Sequence, residues 1–64
     1  MTKIFFKDYG IVVKEVEDTQ IIPDNEDRIV IPKGNEKHLY VVIDRVFKYA
    51  KHESCVDIHL ERIY

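Results

Sequence analysis

LYVVIDRVFKYAKH, residues 39–52, is the stretch whose reading decides the fold. Leu39, Val42, Ile43, Val46, Phe47 and Ala50 recur at the i, i+3, i+4, i+7 spacing of an amphipathic helix. Asn35 stands where it could cap that helix, and Asp44 with Lys48 would form an i, i+4 pair. The residue types argue the other way. Tyr40, Val41, Val42, Ile43, Val46, Phe47 and Tyr49 are poor helix formers and good strand formers. A twisted strand with a bulge near Asp44 and Arg45 would give the same mixture of periods. Propensity decides for a strand; the alternative is a helix over residues 36–52 in a hairpin-strand-helix-strand arrangement.

Composition outside the stretch supports the strand. Ile and Val together number 17, against two Leu and one Ala. β-Branched side chains lose rotamer freedom in a helix and pack well on a pleated surface. Turn residues cut the rest of the chain into short pieces. Residues 3–7 (KIFFK) alternate, with Ile4 and Phe6 on one face and Lys3, Phe5 and Lys7 on the other. Asp8-Tyr9-Gly10 reads as a tight turn with Gly10 at positive φ. Residues 11–17 (IVVKEVE) return as the partner strand. Pro23 ends a short extended piece, residues 24–27 form an acidic turn, and RIVI (residues 28–31) is a strand closed by Pro32. In residues 55–64, Val56, Ile58 and Leu60 alternate with Asp57, His59 and Glu61, as in a strand with one face to solvent. Five or six short antiparallel strands in one domain, residues 1–64, predict a small all-β barrel.

The run YVVIDRVFKYAKHESCVDIHLERI, residues 40–63, resembles the last hairpin of small Src-homology-3-like barrel proteins, many encoded by bacteriophages and other mobile elements. In those an aromatic-Val-Val strand, a polar turn and a V-x-I-x-L strand follow one another. RIVIPKG, residues 28–34, is similar to the strand and turn that precede that hairpin. The resemblance implies a barrel and a phage or mobile-element origin, and it carries no functional residues with it. The first hairpin has no counterpart in it.

Size and charge bound the function. The chain has 64 residues, 34% of them charged, with a net charge of −2. A domain this small buries only about 60% of its unfolded surface, and a large inter-domain cleft is excluded. No apolar run reaches the length of a membrane-spanning helix. No hydrophobic leader opens the sequence, and one cysteine, Cys55, forms no internal disulfide, so a reducing cytoplasmic location is expected.

Chemistry-bearing groups are sparse. His52, Cys55, Asp57 and His59 are zinc-ligand types. Side chains two apart on a strand splay, and a second ligand pair is missing, so no metal and no cofactor is expected. Cys55 beside His59 lacks an oxyanion-stabilising loop, and isolated Gly10 and Gly34 make no phosphate loop. An enzyme is not expected. Arg45, Lys48, Tyr49, Lys51 and His52, with Phe47 interleaved, would form a basic-aromatic hairpin surface for a nucleic acid or nucleotide, though the acidic balance weighs against that partner. Glu15, Glu17, Asp18, Asp24, Glu26 and Asp27 place six acids in thirteen positions, a candidate surface for a protein partner. Phe5, between two lysines, predicts a homodimer or heteromeric contact through residues 3–9. The sequence thus reads as a non-enzymatic protein-binding module, a phage or mobile-element modulator or inhibitor of a host protein, with nucleic-acid binding as the alternative.

Overall fold

A computed structural model describes residues 2–17 and 22–63. The described residues form five strands and no helix: β1 (Thr2–Asp8), β2 (Ile11–Glu17), β3 (Arg28–Lys33), β4 (Glu36–Tyr49) and β5 (Ser54–Arg62). The stretch over residues 39–52 is extended as far as Tyr49, so the helical alternative is overturned. Ile43 is the reason for the helix-like spacing. Val42 pairs with Leu60 and Asp44 with His59, which leaves Ile43 as the extra residue of a bulge. A bulge shifts the inward-facing set by one position. His38, Tyr40 and Val42 face the core before it, and Arg45 and Phe47 share that face after it.

The strands lie in one sheet in the order β2-β1-β5-β4-β3. β1/β2, β3/β4 and β4/β5 are antiparallel hairpins, whereas β1 and β5 run parallel, with Ile4 opposite Val56 and Phe6 opposite Ile58. The sheet is therefore mixed rather than wholly antiparallel. The reason lies in burial. β5 carries the most buried apolar residues, and pairing it with β1 centres Ile4, Phe6, Val56, Ile58 and Leu60 under one cover. Ile31, Tyr40 and Val42 complete that core, and Ile22, from the segment leading into β3, packs against it.

Both short hairpins turn as their sequences direct. Tyr9 and Gly10 have φ of 51° and 78°, the double positive φ of a type I′ turn. Gly34, at φ 62°, takes the first central position of the β3–β4 turn, where a type II′ turn requires glycine. A wider turn over residues 24–27 is fastened to β4. The Glu26 amide donates to the Val42 carbonyl (2.8 Å), and the Val42 amide donates to the Asp27 carbonyl (2.9 Å). β2 and β3 stand at opposite ends of the sheet order yet border one cleft, so the sheet curls into a half-barrel that stays open between them.

Candidate functional site

The outer face of the curl is an ordered charge lattice. Successive rows across β1 and β5 set Lys3 opposite Cys55, Phe5 opposite Asp57, and Lys7 opposite His59. β4 adds Lys48 beside Cys55, Val46 beside Asp57 and Asp44 beside His59. Asp57 is therefore at the middle of a four-strand face and is only 4% exposed. This corrects the expectation that alternate residues of the last strand meet solvent. β5 is a central strand, and long side chains from both neighbours close over it. Lys7 Nζ donates to Asp57 Oδ2 at 3.1 Å, and Lys48 Nζ reaches the same oxygen at 2.8 Å. Burial alone would raise the Asp57 carboxyl. The hydrogen bonds and charges of Lys48 and Lys7 outweigh it and hold the group below its ordinary value of 3.8.

Cys55, Asp57 and His59 share the face, as their spacing requires. Among the described residues no group of three or more His, Cys, Asp or Glu side chains converges as a metal site. His52 stands apart, exposed in the connection between β4 and β5.

The basic-aromatic set is divided. Arg45, Phe47 and Tyr49 lie on the inner side of β4, with the Arg45 guanidinium 5.5 Å from the Phe47 ring centre and Nη1 2.9 Å from Asp24 Oδ1. Lys48 lies on the outer side and is engaged by Asp57, and Lys51 and His52 are in the following connection. Two of these cations, Arg45 and Lys48, are thus internally neutralised. The acidic set is divided as well. Glu15 and Glu17 sit on β2, Glu17 beside Lys3 (3.9 Å), while Asp24, Glu26 and Asp27 form the turn before β3. Asp18 lies outside the described residues. Phe5 is half-buried between Glu15 of β2 and Asp57 of β5, and not isolated at the surface. β1 is paired on both sides, so its backbone offers no free edge to a second copy.

Among the described residues the free edges are β2 and β3, and between them lies a cleft of about 250 Å³. One wall is Ile11, Val12 and Val13 of β2; the other is Ile31, Pro32 and Lys33 of β3; His38 and Tyr40 of β4 complete it. The edges differ in protection. β3 carries Pro32, which has no amide to donate, and is flanked by Arg28 and Lys33, the usual guards of a strand edge. The first half of β2 has no proline; it carries a bulge instead, with Val13 the extra residue between Val12 and Lys14, and its side chains stay open, Ile11 being 68% and Val12 48% exposed. His38 is buried, its Nε2 3.2 Å from Glu36 Oε2, and its ring meets Tyr40 edge-on with centres 6.4 Å apart.

Sequence reasoning missed this cleft. Its walls come from segments twenty residues apart, and nothing local in IVV or IPK shows that they meet. The usable signal was three consecutive apolar residues, 11–13, before the polar pair Lys14 and Glu15. Comparison with family models, curated proteins and solved structures finds no match, so the chain's own chemistry carries the reading.

Proposed function

We propose that the protein is a non-enzymatic protein-binding module that takes an extended segment of a partner along β2 and thereby modulates that partner in the cytoplasm. The observation that carries the reading is β2 itself, an edge that no other described strand pairs and that begins with exposed Ile11 and Val12. An incoming strand would satisfy the outward-pointing backbone groups of such an edge, and side-chain pockets beside it supply selectivity. The single thiol of Cys55 suits a reducing compartment.

The alternative reading, nucleic-acid binding, draws on Tyr49, 85% exposed, beside exposed Lys51 and His52 at the distal end of the β4–β5 hairpin. One pair of measurements separates the two. Immobilised wild type and Val12→Lys are used to capture protein from the cells that encode the chain, and the free protein is passed over heparin and single-stranded DNA. The module reading expects a protein held by wild type and lost on Val12→Lys, with no retention on either polyanion. Salt-sensitive retention on single-stranded DNA that drops on Lys51→Ala, with capture unaffected by Val12→Lys, would overturn it.

A further inference from the structure

We infer that the cleft between β2 and β3 accepts alternate apolar side chains of an extended peptide and that Lys33 selects an acidic group at one end of it. The inference rests on the module reading above and names the chemistry of the segment bound there. Size disfavours a drug-sized occupant. Small-molecule sites run from about 300 to 1,000 Å³, and this cleft holds about 250 Å³. It has room for a few side chains rather than for a drug-sized ligand.

Its shape fits a strand. The wall with exposed backbone groups is Ile11, Val12 and Val13, so a segment paired to β2 lies along the cleft mouth. Side chains of an extended segment alternate between faces; every second one enters the cleft, against Ile31 and Tyr40, and the others face away. The opposite wall cannot compete for that backbone at Pro32.

Charge sets the direction of selectivity. Lys33 lines the cleft, is exposed, and forms no ion pair with any described residue. Lys3, Lys7, Arg45 and Lys48 all do. A carboxylate beside Lys33 therefore meets a cation that no described acidic side chain pairs within salt-bridge distance, at the border of an apolar surface.

A displayed library of random linear octapeptides, selected against the whole chain, tests this. The expected winners alternate apolar residues and carry Asp or Glu at one constant position. Their affinity falls about tenfold on Lys33→Glu and less on Lys33→Gln, and a peptide with lysine at that position binds Lys33→Glu better than wild type. Both variants change an exposed residue, and unchanged circular dichroism checks their fold. Winners without an acid, bound equally by wild type and Lys33→Glu, overturn the role of Lys33 while leaving the edge reading standing. Enrichment no greater on wild type than on Val12→Lys overturns both. Saturable binding of octanoate, reduced by Lys33→Glu and without peptide enrichment, assigns the cleft to a small aliphatic acid and overturns the peptide occupant.

Discussion

At the scale of single residues, Asp57 and Ile58 are neighbours on β5 that stabilise the molecule by different physics. Ile58 is fully buried at the centre of the core. Truncating such a side chain to alanine costs about 2–5 kcal/mol, while a domain of this length has about 3–10 kcal/mol in all. Ile58→Ala is therefore expected to leave much of the protein unfolded at 25 °C, as read from a lost denaturant-unfolding baseline. Asp57 makes a pH-dependent contribution. Its folded-state carboxyl titrates below the ordinary 3.8, so its stabilisation is present above that value and is lost as pH falls through the depressed one. The variant Asp57→Asn should lose about 1–2 kcal/mol at neutral pH, because both lysines can turn toward water once the charge is gone. The gap between the two proteins should then close below pH 3.8 in urea titrations; a gap that stays constant to low pH would refute the carboxylate account.

At the scale of elements, the turns carry local strain that substitutions can relieve or add. Tyr9 holds a φ of 51° at the first central position of the type I′ turn, is 93% exposed, and gains nothing from burial. Asparagine occupies that conformation more readily. Tyr9→Asn is expected to stabilise the β1–β2 hairpin by up to about 1 kcal/mol, seen as a higher thermal midpoint. Gly10→Ala has free space around the added carbon but a φ of 78°, so it should lower the midpoint for conformational reasons alone. In β4 the bulge at Ile43 has the opposite use. It lets Tyr40 and Val42 face inward in one half and Arg45 and Phe47 in the other, over a strand of 14 residues.

At the scale of the whole molecule, the sheet order predicts where the fold opens. β1 and β5 are paired on both sides and hold most of the core, whereas β2 and β3 are edges. Amide hydrogen exchange should accordingly be slowest in Ile4–Phe6 and Val56–Ile58 and fastest along the outward-pointing amides of β2 and β3. Equal protection of β2 and β5 would mean that the free edge is covered in solution. The parallel pairing of β1 with β5 also joins groups 50 residues apart, as in the Lys7–Asp57 contact. Such non-local pairing slows folding, because the loop is closed before its contacts form.

The amino-acid sequence by itself determined the strands, their turns and the need for a bulge near Asp44. Those depend on β-branched composition, on alternation and on the φ demanded of Gly10 and Gly34, all of which are local. It also separated Ile4 and Phe6 from Lys3, Phe5 and Lys7, since a strand's two faces follow from a period of two. It did not show that β1 and β5 pair in parallel, because strand order depends on which apolar faces bury one another across the whole chain. For that reason Asp57 read as a solvent-facing residue: only its placement between β1 and β4 puts two lysine stems over it. The candidate site was illegible on the same ground. Residues that read together as basic or acidic runs are sent to opposite faces or opposite edges, and the cleft between β2 and β3 exists only because the sheet curls.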